Sequence, residues 1–62
     1  MKVKELVKYC YDDLVIYEPV NKEFTEFKDL FHGKREEIPS DLLEREVQCF
    51  GAKQEKEIEI QV

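Results

Sequence analysis

The sequence predicts one α+β domain spanning residues 1–62, with a four-stranded, mainly antiparallel sheet and short helices on one face. Three observations favour this class. The chain begins with an amphipathic helical pattern, it ends with strict alternation of apolar and polar residues, and short apolar runs lie between. Only two glycines and two prolines occur, so no linker divides the chain. The predicted element order is α-β-β-α-β-β.

The first element is predicted to be a short helix. Val3, Leu6, Val7 and Cys10 fall at positions i, i+3, i+4 and i+7, which places them on one helical face. A helix of about two turns does not persist in isolation, so this face must pack against the rest of the domain.

The next two elements are predicted to form a hairpin. Residues 14–17 form a run of β-branched, aromatic and leucine side chains, and residues 19–22 suit a turn. The return strand is expected over about 23–36, bent or bulged near residues 28–29, with Gly33 allowing the bulge. Residues 24–31 also match helical spacing, so strand and helix both stay open there.

The second half predicts a helix over 38–45, with Pro39 at its first helical position, where a missing N–H costs nothing. A strand is expected over 47–50, and a loop over 51–56. The final strand, 58–62, is the clearest pattern in the chain. Its apolar residues are predicted to face inward, namely Ile58, Ile60 and Val62.

Carboxylates alternate with the apolar residues of this final strand. If the strand lies at a sheet edge, Glu57 and Glu59 form an acidic rim that Glu55 extends. Charged residues on an edge ordinarily prevent aggregation, which is the favoured interpretation. The alternative is that the rim faces a basic surface on a partner protein.

Composition excludes several classes of function. Fifteen acidic and ten basic residues give a net charge of −5, which argues against direct binding to nucleic acid. No apolar run approaches the roughly 20 residues that span a bilayer, and none follows the charged start as in a signal peptide. We therefore expect no membrane association and a cytoplasmic location. Both cysteines, Cys10 and Cys49, are expected to be free, buried and inert.

No set of residues forms a complete reactive site in the sequence. A zinc site or a cysteine nucleophile would need Cys10, His32 and Cys49, but paired Cys-x₂₋₄-Cys ligands are absent. His32 is expected at the surface, and neither glycine belongs to a phosphate-binding loop. The sequence therefore predicts a protein that is not an enzyme and that holds no cofactor or metal.

The candidate binding residues are those expected at the surface. Tyrosine is enriched in the residues that dominate protein interfaces, and the expected partner-binding set is Tyr11, Tyr17, Glu55, Glu57 and Glu59. A core this small is barely sufficient, which makes a homodimer an alternative means of stabilisation.

Residues 29–50 resemble small uncharacterised proteins of phages and mobile elements of low-GC Gram-positive bacteria. An aromatic-x-Gly strand end precedes an Ile-Pro-x-x-Leu-Leu-x-x-x-Val segment, which here comprises Phe31, Gly33, Ile38, Pro39, Leu42, Leu43 and Val47. The resemblance implies a genomic setting and no site residue. We therefore expect an accessory factor that binds or inhibits a host protein, for example a defence nuclease. The alternatives are a small-ligand or metal-binding module and a self-associating structural domain.

Overall fold

A computed structural model describes the backbone of residues 1–54 and 57–62 and the side chains of residues 1–52 and 57–62, which form a four-stranded sheet and short helices. The strands are β1 (Asp13–Pro19), β2 (Phe27–Gly33), β3 (Cys49–Gln54) and β4 (Glu57–Gln61), in the spatial order β2-β1-β4-β3. β1 and β2 are antiparallel, as are β3 and β4, and β1 runs parallel to β4 in the centre. The predicted α+β class is confirmed, and two antiparallel pairs joined by one parallel pair make the sheet mixed.

The first helical segment comprises α1 (Val3–Leu6) and a following 3₁₀ turn (Val7–Tyr9). All four side chains predicted on its inner face are buried. The carboxylate of Glu5 accepts a hydrogen bond from the backbone N–H of Lys2 at 3.0 Å, which satisfies one of the free donors at the start of the helix. No helix among the described residues has the length and apolar character needed to cross a bilayer.

The second helical segment is shorter than predicted. A 3₁₀ turn (Arg35–Glu37) precedes α2 (Ser40–Leu43), and Pro39 caps α2 instead of being its first helical residue. The chain leaves the helix early because residues 45–47 pair with the N-terminus. The N–H of Val3 donates to the carbonyl of Arg45 at 2.9 Å, and the N–H of Val47 donates to that of Met1 at 2.8 Å.

Glu44 reinforces this junction, since its carboxylate lies 2.9 Å from Lys4 Nζ and 3.0 Å from Lys2 Nζ. The hydrogen bonds from Lys4 and then Lys2 hold the pKa of Glu44 below its usual 4.5. Because the pKa of this carboxyl is lower in the folded protein, the ionised group stabilises the fold at pH values above its pKa in the unfolded chain. This stabilisation is lost as the pH falls through its pKa in the folded protein.

We expect Glu44→Gln to lower the free energy of unfolding slightly at pH 7 and to flatten its decline below pH 4.5. Urea unfolding at several pH values measures this. Because the pair is exposed, 1 M salt should reduce the difference between the variant and the parent protein. Identical pH profiles for the two proteins would show that Glu44 does not contribute to the stability of the junction.

The core lies between the helices and one face of the sheet. Leu14, Ile16 and Ile60 are fully buried on that face, and the helical residues cover them. The inward positions of the final strand are confirmed, although Ile58 is only partly buried. The guanidinium of Arg35 donates to the carbonyls of Val7 and Lys8, at 3.2 and 3.0 Å, and so joins the two helical segments.

The return strand of the first hairpin differs from its predicted extent. β2 begins at Phe27, because the side chain of Asn21 closes a loop by bonding the backbone N–H of Thr25 at 3.1 Å and its hydroxyl at 2.7 Å. Phe24 adopts a positive φ of 59° within this loop, which is uncommon for a bulky residue. Ile16 pairs with Phe31 and Tyr17 with Asp29, so the extra residue of the bulge is residue 30.

The rest of the sheet also differs from what the sequence predicted. Gly33 has no positive φ and ends β2, so it does not make the bulge. Residues 51–54, predicted as loop, extend β3, while residues 55–56 lie outside the described part of the chain. β4 is not an edge strand, because it pairs with β1 on one side and β3 on the other. The acidic rim is therefore not at an edge.

Candidate functional site

The face of the sheet opposite the helices carries the candidate site, and we call it the open face. The register aligns His32, Val15, Glu59 and Gly51 in one row across the four strands. Asp29, Tyr17, Gln61 and Cys49 form the neighbouring row. Because side chains alternate between faces along a strand, all eight residues belong to the face that the helices leave uncovered.

A depression of about 280 Å³ lies on the open face. Its lining residues are Val15, Tyr17, Phe27, Asp29 and Glu59. Val15 is only 3% exposed although it does not belong to the core cluster, so the surrounding side chains cover it. The Tyr17 and Phe27 rings meet edge to face, with centroids 5.4 Å apart and planes at 87°. This geometry is favourable for aromatic pairs and fixes one wall of the depression.

The charges of the depression are carboxylates that have no counterion among the described side chains. Asp29 and Glu59 make no hydrogen bond or ion pair with the residues that the structure describes, and Glu59 is half-buried. Burial of the Tyr17 hydroxyl raises its pKa, and the nearby Cys49 and Glu59 raise it further. The depression therefore combines an apolar floor, aromatic rings and negative charge.

Glu57 and His32 lie beside the depression. The Glu57 side chain is 11% exposed, and its Oε2 is 3.9 Å from Nε2 of the exposed His32. This contact is an ion pair only when the imidazole is protonated. The surface position predicted for His32 is confirmed.

The structure brings together three of the five residues predicted to bind a partner. Tyr17, Glu57 and Glu59 share the open face on the two central strands. Tyr11 lies apart, 81% exposed, with the guanidinium carbon of Arg35 4.7 Å from its ring centroid. Glu55 lies outside the described residues.

Sequence reasoning missed Val15, Phe27 and Asp29. Phe27 and Asp29 are two residues apart on one strand, which is the spacing that puts side chains on the same face. That signal was present, but helical spacing over 24–31 competed with it. Val15 lies in an uninterrupted apolar run, where the alternation that distinguishes two faces is absent.

The residues considered for a metal or a cysteine nucleophile are not assembled. Cys10 belongs to the core cluster on the helical side, whereas Cys49 and His32 lie on the open face of opposite edge strands. Two interior strands separate those edges, a spacing of roughly 14 Å. No group of three ligating side chains that could hold a metal occurs among the described residues.

Both cysteines are free, but the predicted burial of Cys49 is wrong. Cys49 begins the edge strand β3 on its open-face side, so no helix covers it, and its thiol donates to Oε1 of Gln61 at 3.4 Å. Cys10 is buried, and this burial raises the pKa of its thiol. The two thiols therefore differ in access.

We expect a thiol reagent such as dithionitrobenzoate to modify one cysteine of the folded protein rapidly, and the second only on unfolding. Absorbance at one and then two equivalents, with and without urea, measures this. Cys49→Ser should remove the rapid phase and Cys10→Ser should leave it. Rapid modification of both thiols in the folded protein would contradict the burial of Cys10.

Comparison with known proteins finds no relative whose binding site could be compared with the open face. The chain matches no family model, no curated protein and no solved structure. The function must therefore be inferred from the geometry of the open face itself.

Proposed function

We propose that this chain is a non-enzymatic protein-interaction domain that binds another protein through the open face. The single observation that carries the proposal is the depression, in which aromatic rings and carboxylates with no counterion among the described side chains surround a buried Val15. The uncovered rings leave apolar area in contact with water, which costs free energy in a domain with a small core. A partner that supplies the missing charge and covers the rings would relieve this cost.

The binding surface must extend beyond the depression. A stable interface takes about 800 Å² from each partner, roughly a fifth of the 4450 Å² surface of this molecule. The end of the first hairpin offers the additional apolar area, because Val20, Phe24 and Phe27 are exposed there. The loop closed by Asn21 holds Phe24 in one conformation, which reduces the entropy lost on binding.

Charge indicates the kind of partner. The net charge of −5 favours encounter with a basic protein surface and disfavours nucleic acid. A host protein whose basic surface binds nucleic acid, such as a defence nuclease, fits this requirement. We therefore propose a phage or mobile-element accessory factor that occupies such a surface in the cytoplasm.

Charge reversal on the open face tests this function. Asp29→Lys should weaken partner retention by about tenfold or more, because a like charge then faces the basic surface. Glu37→Lys is the matched control, since Glu37 is also exposed and its carboxylate makes no ion pair with any described residue. The tagged domain and both variants are incubated with extract of a low-GC Gram-positive bacterium, and retained proteins are quantified by mass spectrometry.

The expected result is a protein retained by the parent domain and by Glu37→Lys but lost from Asp29→Lys. Equal retention by all three, or retention of nothing above background, would contradict binding through the open face.

Self-association is a second candidate, favoured by the β3 edge. On the helical face of the sheet, the register aligns Phe31, Ile16, Ile60 and Phe50 in one row. Phe50 is the last residue of that row, on the edge strand β3, and it is 56% exposed. A second copy that paired along β3 would cover this ring. Sedimentation equilibrium separates the possibilities: a homodimer that Phe50→Lys dissociates would favour self-association, and a monomer at high concentration would exclude it.

A further inference from the structure

We propose that the depression on the open face receives an arginine side chain of the partner protein. This inference rests on the proposed function and names the group that the open face recognises. Val15, Tyr17, Phe27, Asp29 and Glu59 form the receiving site.

The shape of the depression suits a planar cation. Its volume of about 280 Å³ exceeds that of one side chain, and its wall is the Tyr17–Phe27 ring pair above the apolar floor of Val15. A guanidinium stacks on aromatic rings while its aliphatic stem covers apolar surface. An ammonium group is a compact, strongly hydrated charge that gains less from such a wall.

The charges of the depression also favour arginine. Asp29 pairs with Tyr17 on the β2 side of β1, and Glu59 pairs with Val15 on the β4 side. The two carboxylates therefore approach the depression from opposite sides of one strand, and neither has a partner among the described residues. The fork of a guanidinium presents donors in several directions and can serve both carboxylates at once.

The arginine must come from another protein. The two arginines of this chain are already engaged, because Arg35 donates to backbone carbonyls and Arg45 Nη2 lies 2.9 Å from Oε2 of Glu18. Among the side chains that the structure describes, those of residues 1–52 and 57–62, no cation lines the depression. Lys4 and Lys8 of the first helical segment and Arg35 of the second line a separate groove on the helical side of the sheet.

The probe is the blocked peptide acetyl-Gly-Arg-Gly-amide, titrated into ¹⁵N-labelled protein. The matched peptides carry lysine, or citrulline as the uncharged isostere, in place of arginine. We expect saturable shifts at Val15, Tyr17 and Glu59, with arginine binding about two- to fivefold tighter than lysine and citrulline giving no shift. Glu59→Gln and Asp29→Asn should each weaken the arginine peptide about two- to fivefold, and Glu37→Gln should leave it unchanged.

Equal affinity for the arginine and lysine peptides would overturn the inference, as would shifts located away from the open face. Dispersed spectra of Glu59→Gln and Asp29→Asn confirm that these variants fold. If the arginine peptide does not bind but the Asp29→Lys variant no longer retains the partner protein, the proposed function stands and the inferred recognition of arginine is wrong. If Asp29→Lys retains that protein, the proposed function fails independently of the peptide.

Discussion

Replacement of Ile16 by alanine should lower the free energy of unfolding by about 2–5 kcal/mol. Ile16 is fully buried at the centre of the sheet, between Phe31 on one neighbouring strand and Ile60 on the other. A domain of 62 residues has a total stability of roughly 3–9 kcal/mol, so the loss is a large share of the whole. Urea unfolding followed by circular dichroism measures the change.

Val20→Ala is the matched control, because Val20 is 53% exposed and lies outside the core. A substitution there should change the free energy of unfolding by no more than about 0.5 kcal/mol. A similar loss from both variants, or a loss below about 1 kcal/mol from Ile16→Ala, would contradict a core centred on Ile16.

Replacement of Glu59 by proline should have a comparable or larger effect. Glu59 lies in β4, which pairs with β1 on one side and β3 on the other. Its backbone N–H therefore points toward a neighbouring strand on either side. Proline removes that donor and is confined in sheets to edge strands and bulges. We expect a loss on the order of 3 kcal/mol or more, a large share of the total stability.

Glu59→Ala separates the backbone from the side chain. It removes the same carboxylate but keeps the N–H, so it should fold and give dispersed amide resonances. If proline at residue 59 were tolerated as well as alanine, the pairing of β4 on both sides would be contradicted.

Local pattern accounts for the elements that were predicted correctly. The spacing of Val3, Leu6, Val7 and Cys10 specifies one helical face, and the alternation of Ile58, Ile60 and Val62 specifies one strand face. Each pattern is contained within a few residues, and each reports directly on which side chains meet the core. The α+β class follows from the order of these elements.

Strand order could not be predicted because it depends on residues far apart in the chain. The parallel pair of β1 with β4 joins Asp13 to Glu57 and Ile16 to Ile60, and nothing local in either segment specifies that contact. When only one face of a sheet is buried, an edge strand and an interior strand have the same alternation of apolar and polar residues. The alternation therefore left the edge position of β4 as a condition, and the pairing of β4 on both sides places its carboxylates on the open face.

The candidate site was only partly predictable for the same reason. Tyr17, Glu57 and Glu59 were selected as exposed or charged residues, which their own positions suggest. The depression, however, requires Phe27 and Asp29 from β2, and its geometry depends on the register across the bulge at residue 30. A one-residue change of register would place those two side chains on the other face.

The open face gives the surface charge a specific interpretation. Several described carboxylates, including Glu18 and Glu44, already lie within ion-pair distance of lysine or arginine side chains. Asp29 and Glu59 have no such partner among the described side chains and lie beside the aromatic pair, so part of the uncompensated charge lies where apolar area is also available.

Site-specific photo-crosslinking tests binding through the open face most directly. A photoreactive benzoylphenylalanine replaces Phe27 on the open face in one protein and Tyr9 on the helical side in another, both exposed positions. After irradiation in cell extract, covalent adducts are identified by mass spectrometry. We predict one adduct from position 27 and none from position 9. An adduct from position 9 alone, or the same adduct from both positions, would contradict binding through the open face.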